Sequence, residues 1–159
     1  MALSHATFGA VTVKQEDPAQ PDVAELLRHG KTNSEKLYPV ESNHHLPLDA
    51  LRHPEVRFLV ARDAEGKALA TGALVPQQGW AEIKCMWVEE GARGRGIARR
   101  VLHALMTEAR DSGIEVLRLE TGVASHAALA LYHKAGFIPR GPFAGYRPDP
   151  MSVVMERLL

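Results

Sequence analysis

The sequence predicts one mixed α/β domain in which a sheet carries helices on both faces. Alternating apolar segments in the middle of the chain predict a meander of strands. The hydrophobic period then changes from that of a strand to that of a helix, and helices and strands alternate afterwards. No repeat and no Pro/Gly/Ser-rich linker divides the chain, so residues 1–159 are expected to form a single domain with its own core.

The first third of the chain predicts one strand and one or two helices. Residues 7–14 have a strand pattern. Residues 18–29 are predicted to be helical, with Asp17 as a candidate N-cap and Gly30 as a stop signal, although Pro21 leaves the first residue open. Within residues 31–54 the segment LPLDALRH favours a short helix.

The middle of the chain predicts three consecutive strands, VRFLVAR, KALATGALVP and WAEIKCMWV, joined by the turns DAEG and QQG. Apolar residues at helical spacing between Ile97 and Met106 then predict a helix that ends at Gly113. IEVLRLET follows as a strand, and Ser125 is expected to cap a second helix that ends before Gly136. FIPRG and MSVVMERL close the sheet around the loop GPFAGYRPDP.

Charge and cysteine content exclude several classes of partner. Lysine plus arginine equals aspartate plus glutamate at 19 each, so no nucleic-acid partner is expected. The single cysteine, Cys85, cannot form an internal disulfide, which makes the cytoplasm the simplest location. The N-terminal segment lacks the pattern of a signal peptide and no window is apolar enough for a membrane span, so no membrane partner is expected.

The segment that leads from the third strand into the following helix has the pattern of an anion site. Its glycines allow a tight turn, and the first amides of a helix point outward toward a ligand. The nearby arginines add positive charge, while the residues that mark a nucleotide P-loop or a dinucleotide fingerprint are missing. Alternatively, glycine and arginine only cap an exposed helix. The predicted contacts are Arg93, Gly94, Arg95, Gly96, Ile97, Ala98 and Arg99.

Two motifs in this order resemble one family. Arg93-x-x-Gly96-x-Ala98 matches the Gln/Arg-x-x-Gly-x-Gly/Ala signature of the GNAT superfamily of acyl-CoA-dependent N-acetyltransferases, and the segment from Ala128 to Phe137 resembles its A-x-x-LY-x-x-x-GF segment. The chain looks most similar to small bacterial single-domain members. The resemblance implies a mostly antiparallel twisted sheet, acetyl-CoA as acyl donor and a small-molecule amine as acceptor. It is also compatible with a homodimer.

The resemblance also assigns two catalytic candidates. Glu82 lies on the strand before the loop, where the histone-type branch has its catalytic base; alternatively, it forms a solvated pair with Lys84. Strand alternation places Glu82 on the same face as Lys84, Met86 and Val88 unless a bulge intervenes, and Cys85 on the other face. Tyr132 is the expected acid, because a tyrosine and a thiol differ by about 1.5 pKa units; alternatively, its ring only fills the core.

Further residues are assigned to the cofactor and to the acceptor. Met86, Trp87 and Val88 are expected to line the pantetheine arm, with the Val88 amide as oxyanion donor. Ser125 is also expected to contact the cofactor, at a position where many members have asparagine. His44, His45 and Lys84 are expected at the acceptor pocket. No metal site is predicted, since adjacent histidines seldom share an ion and no other Cys or His pair completes a zinc pattern.

The predicted activity is direct acetyl transfer from acetyl-CoA to a primary amine in a ternary complex. One alternative is a non-catalytic acyl-CoA-binding module, which retention of Glu82 and Tyr132 disfavours. A protein or peptide N-acetyltransferase, which needs an open groove, is a second alternative.

Overall fold

The computed structural model describes residues 10–143 and 148–159. Its strands are β1 (Thr12–Gln15), β2 (Arg57–Arg62), β3 (Ala68–Pro76), β4 (Ala81–Val88), β5 (Val116–Gly122), β6 (Ile138–Arg140) and β7 (Ser152–Leu158). The helices are α1 (Pro21–Leu37), α2 (Leu48–Leu51), α3 (Ile97–Asp111) and α4 (His126–Lys134), and short 3-10 turns lie at Val40–Ser42 and Glu90–Ala92.

The strands form a seven-stranded sheet in the order β1-β2-β3-β4-β5-β7-β6. Every described pairing is antiparallel except that of β4 with β5. On one face, called the α1 face, Val23 and Leu51 of the first two helices pack with Phe58 of the sheet. On the other, called the α3 face, α3 and α4 contribute residues such as Leu105 and Tyr132 to a second core. The predicted mixed sheet with helices on both faces is therefore confirmed.

The first helix differs from its prediction at both ends. It begins at Pro21 with Gln20 in the N-cap position, while Asp17 accepts a hydrogen bond from the Ala19 amide at 2.9 Å in the preceding turn. It also continues through Gly30 to Leu37. A glycine inside a helix costs only about 1 kcal/mol, and here α1 packs on the sheet with Gly30 against the Trp87 ring. Tertiary packing therefore outweighs the local stop signal.

The later elements confirm the order of strands and helices that the sequence predicts. The three meander strands, the helix at 97–111 and the short helix at 48–51 all form. The first strand is shorter than expected and covers Thr12–Gln15, and residues 7–9 of its predicted range lie outside the described residues. The same holds for residues 144–147 in the loop between β6 and β7.

A bulge in β4 and a divergence of β4 from β5 shape the centre of the sheet. The register shifts between Thr71↔Trp87 and Ala73↔Lys84, and Cys85 has a positive φ of 59°. A bulge bends its strand and increases the local twist. The described pairing of β4 with β5 covers Ala81↔Leu117 and Glu82↔Arg118, whereas β5 pairs with β7 along its whole length. Beyond Glu82 the two strands therefore separate and leave a gap, called here the β4–β5 gap.

Candidate functional site

The loop that follows β4 has the backbone of an anion site. Gly94 and Gly96 have φ of 79° and 73°, a region that other L-residues rarely adopt. The first backbone bond of α3 runs from the Arg100 amide to Gly96 O at 3.2 Å, so the preceding helical amides have no acceptor within the helix. The Ile97 side chain is buried and anchors the helix end in the core. Only the amide of Ile97, not its side chain, is suited to a ligand.

Arg93 differs from the exposed arginines that follow it. Its Nε donates to Val88 O at 3.0 Å, and its guanidinium lies 4.8 Å from the Trp87 ring centroid. In this position Arg93 fixes the loop to the end of β4. Arg95 and Arg99 are exposed around the same loop, where they can provide charge to an anion.

The bulge redistributes the side chains of β4 between the two faces. Glu82 lies opposite Val75, which packs on the α1-face core, whereas Met86 and Val88 pack on the α3-face core. Glu82 and Lys84 share a face as predicted, whereas Met86 and Val88 do not, because the bulge that the prediction excepted intervenes at Cys85 and reverses the alternation.

Two further side chains of β4 turn to the α1 face. The prediction that Cys85 faces away from Glu82 is also wrong, since Cys85 packs on the α1-face core. Burial raises the pKa of its thiol to about 11, so the thiol is protonated at neutral pH and unsuited to nucleophilic attack. The Trp87 ring packs on the same core and its indole donates to Glu89 Oε1 at 2.7 Å. The Trp87 side chain therefore belongs to the α1-face core.

The amide of Val88 faces the β4–β5 gap. The next amide, that of Glu89, donates to Leu69 O of β3 at 2.9 Å. In an antiparallel pair the backbone groups of successive residues alternate between the partner strand and the opposite side. The Val88 N–H therefore points away from β3, into the gap, where it is available to a ligand.

Glu82 and Lys84 form a buried ion pair. Lys84 Nζ lies 3.3 Å from Glu82 Oε2, and the side chains are 12% exposed for Lys84 and 9% for Glu82. The pair that the sequence offered as an alternative therefore exists, but it is not solvated. Because both side chains are largely removed from water, the attraction between the two charges is screened less than in a surface pair.

Tyr132 lies on α4 with its ring in the α3-face core. It is 5% exposed, and its ring meets Phe137 edge-on with centroids 5.8 Å apart. Burial raises the pKa of its phenol. The phenol is therefore protonated at neutral pH, but its raised pKa makes full proton transfer to a free thiolate less favourable than the sequence argument assumed. A hydrogen bond from the phenol to sulfur remains compatible with this position.

Ser125 occupies the N-cap position of α4 without capping it. Its hydroxyl makes no capping hydrogen bond and lies 2.8 Å from Tyr38 Oη, which also accepts from the Ala124 amide at 3.1 Å. The prediction that Ser125 caps the helix is wrong, because the Ser125 hydroxyl forms a hydrogen bond with Tyr38 instead. Gly122 makes this contact sterically feasible, since a Cβ there would overlap the Tyr38 ring.

The predicted acceptor histidines lie on the segment between α1 and α2. His44 Nδ1 is 2.7 Å from Glu120 Oε1 on β5. Desolvation and the positive charge of Lys31 lower the pKa of His45, which is therefore neutral at pH 7. The sequence prediction missed Glu120 and Tyr38. Alternation along LRLETG could have indicated that Glu120 faces away from Leu117 and Leu119, but its histidine partner is distant in sequence.

The structure adds two findings on the described part of the chain. No three His, Cys, Asp or Glu side chains gather in a geometry that could hold a metal ion within residues 10–143 and 148–159. None of the helices in those ranges combines the length and the hydropathy that a membrane crossing requires.

Comparison with known proteins gives concordant matches. A profile of the Acetyltransferase (GNAT) family matches residues 21–137. IAA acetyltransferase of Azospirillum brasilense is 44% identical over 151 residues, which cover 94% of this chain and 98% of the relative. A solved structure from Klebsiella pneumoniae, described as an acyl-CoA N-acyltransferase, is 33% identical with a TM-score of 0.80 and covers 94% of this chain and 97% of its own. PaiA N-acetyltransferase of Thermoplasma acidophilum, solved with coenzyme A, shares the fold at 15% identity, with a TM-score of 0.72 and coverage of 94% and 99%.

Proposed function

Because the chain belongs to the GNAT family and is an acyl-CoA-dependent N-acetyltransferase, we propose that it moves the acetyl group of acetyl-CoA to a primary amine of a small metabolite. Transfer is direct and takes place in a ternary complex. The name of the Azospirillum brasilense relative, IAA acetyltransferase, supports a small-molecule acceptor. The balanced charge and the single cysteine support a cytoplasmic location.

The observation that carries this proposal is the β4–β5 gap with the anion loop at its end. Pairing of the two strands ends at Glu82↔Arg118, so their facing backbone edges are available to an extended chain such as a pantetheine arm. The loop at Gly94 and Gly96 then offers left-handed glycines and outward amides to a pyrophosphate. The residues present therefore fit acetyl-CoA, which supplies a thioester-activated acetyl group when bound.

The two faces of the gap suit different steps of the reaction. On the α1 face, Glu82 accepts a proton of the acceptor ammonium, directly or through a water. The amine nitrogen then attacks the thioester carbonyl, whose oxygen is stabilised by the Val88 amide. The C–N bond forms, the C–S bond breaks, and the second proton that the nitrogen loses passes to the departing sulfur, to which Tyr132 on the α3 face donates a hydrogen bond. Free CoA, the acetamide and one proton result from each ammonium consumed.

His44, His45 and Lys84 border the acceptor side of this arrangement. His45 is neutral and exposed on the segment between α1 and α2. Lys84 Nζ lies 3.3 Å from Glu82 Oε2, so Lys84 also positions the Glu82 carboxylate on this side.

A panel of primary amines and amino acids, assayed for release of free CoA, tests the proposal. We expect release that depends on at least one amine and exceeds hydrolysis of acetyl-CoA alone. Binding of acetyl-CoA without release for any amine would favour a non-catalytic acyl-CoA-binding module. Release with peptides but with no small amine would favour a peptide N-acetyltransferase.

A further inference from the structure

We infer that Glu120, held in place by His44, binds the amino group of the acceptor. The inference rests on the proposed function for the nature of the ligand, but the residue and the site come from the structure. Neither of the two sequence motifs includes Glu120, and its carboxylate contacts His44, which belongs to neither motif.

The carboxylate of Glu120 is half satisfied. Oε1 lies 2.7 Å from His44 Nδ1, and the side chain is 11% exposed. Oε2 is buried and has no hydrogen-bond partner in residues 10–143 and 148–159. A buried carboxylate oxygen without a donor is destabilising, and most such atoms in folded proteins have a partner. A ligand can therefore provide the hydrogen-bond donor that Glu120 Oε2 lacks.

The backbone places Glu120 at the edge of the β4–β5 gap. Its neighbour Leu119 packs on the α3-face core, so alternation turns Glu120 to the α1 face. It lies two residues beyond Arg118, the last residue of β5 that pairs with β4. A ligand in the gap can therefore reach Glu120 from the side on which Glu82 also lies.

Three contacts hold the segment between α1 and α2 against this site. Tyr38 Oη lies 2.8 Å from Ser125 Oγ, and Ser42 donates to Asp149 Oδ2 at 2.5 Å. The third contact is the His44–Glu120 hydrogen bond itself. Together they fix His44, so that Oε1 is occupied and Oε2 is the atom left for a ligand.

The chemistry of this oxygen selects a cationic donor. A carboxylate accepts hydrogen bonds and donates none, and a primary ammonium brings three donors with a positive charge. An alcohol of the same skeleton brings one uncharged donor, and an anionic acceptor would be repelled. The ligand class that fits Glu120 is therefore a primary amine in its ammonium form.

The test measures binding with the full chain saturated with CoA, using butylamine and phenethylamine and the matched alcohols 1-butanol and 2-phenylethanol as probes. We expect an amine to stabilise the wild-type protein against thermal unfolding and its alcohol to have no effect. In Glu120→Gln the amine should bind at least about tenfold more weakly, while the response to CoA stays unchanged. Glu115→Gln, an exposed position just before the same strand, should behave as wild type.

Equal amine affinity in wild type and Glu120→Gln would overturn the inference. The absence of any thermal stabilisation of the wild type by an amine would also overturn it. Should Glu120→Gln fail to fold, Glu120→Asp keeps the charge but withdraws it by one methylene, and it should also weaken amine binding. Glu120-dependent amine binding without CoA release would contradict the proposed function and leave the inference standing. CoA release by the wild type, together with unchanged amine affinity in Glu120→Gln, would support the proposed function and overturn the inference.

Discussion

At the scale of single residues, the site depends on which groups carry protons at neutral pH. Glu82 is ion-paired with Lys84, whereas Tyr132 and Cys85 are buried groups whose pKa values are raised. The Tyr132 phenol and the Cys85 thiol therefore hold their protons at neutral pH. The alternatives that the sequence leaves open can be separated by substitutions at these positions.

Glu82→Gln should slow turnover most at neutral pH, where the acceptor is still protonated. A lysine-like ammonium has a pKa of about 10.4, so it must lose a proton before it can attack. The defect in kcat/KM should be about 100-fold or more near pH 7 and shrink as pH rises, because more amine is already free. A defect independent of pH and confined to acceptor KM would identify Glu82 as a binding residue; Glu115→Gln is the control.

Tyr132→Phe should lower kcat more than it weakens cofactor binding. The substitution removes the hydroxyl, which we expect to act on the departing sulfur, and keeps the ring that packs on Phe137. Steady-state kinetics with a titration of CoA separate the two effects. Unchanged kcat would show that water or another group donates to sulfur.

The wild-type protein should lose more stability at alkaline pH than the Cys85→Ala variant does. The folded pKa of the thiol is raised to about 11, above its unfolded value of about 8.5. The folded state therefore holds the proton more tightly, and this contribution to stability is complete at low pH and is lost as pH rises between these two values.

Chemical denaturation at pH 8 and at pH 10.5 measures this effect. The free energy of unfolding should fall more for wild type than for Cys85→Ala, by roughly 2 kcal/mol. An identical pH dependence in the two proteins would contradict the burial of the thiol.

At the scale of elements, the sequence predicts the strand and helix order but not the local irregularities. Periodicity and turn residues predict β2 to β5, α3 and α4, since these signals are local. The continuation of α1 through Gly30 depends on packing against Trp87, and the bulge at Cys85 depends on pairing with β3. Both are tertiary effects that a local pattern does not contain.

The bulge also explains which parts of the site the sequence could predict. The anion loop is contiguous, so its glycines and arginines are visible in one short segment. The assignment of Glu82 and Met86 to a common face failed because one extra residue reverses the alternation. Glu120 and His44 were not paired because 76 positions separate them.

Gly96→Ala should weaken acetyl-CoA binding by about tenfold. The φ of 73° at Gly96 is costly for any other residue, on the order of 1–2 kcal/mol, and its relief would turn the first helical amides away from the ligand. Gly91→Ala is the matched control, because Gly91 is exposed, has no left-handed φ and has open space where a Cβ would lie. Equal loss of affinity in both variants, measured by calorimetry, would count against the assigned role of the loop.

At the scale of the whole molecule, two helical layers cover a mostly antiparallel sheet whose one parallel pair within the described residues is β4 with β5. Glu82, the last residue of β4 that pairs with β5, lies on the α1 face, and Tyr132 belongs to the core of the α3 face. In the proposed reaction, acceptor and acyl donor would meet at this gap, and the anion loop at Gly94 and Gly96 would hold the donor.

The most direct test of this account is thermal unfolding of the purified protein with and without acetyl-CoA. A ligand that binds the folded state stabilises it by about 2.7 kcal/mol at a hundredfold excess over its Kd. We predict a rise in Tm that grows with acetyl-CoA concentration, is reproduced by CoA, and is reduced in Gly96→Ala but not in Gly91→Ala. A well-folded protein whose Tm responds to neither acetyl-CoA nor CoA would contradict the central claim that the loop and the β4–β5 gap hold the acyl donor.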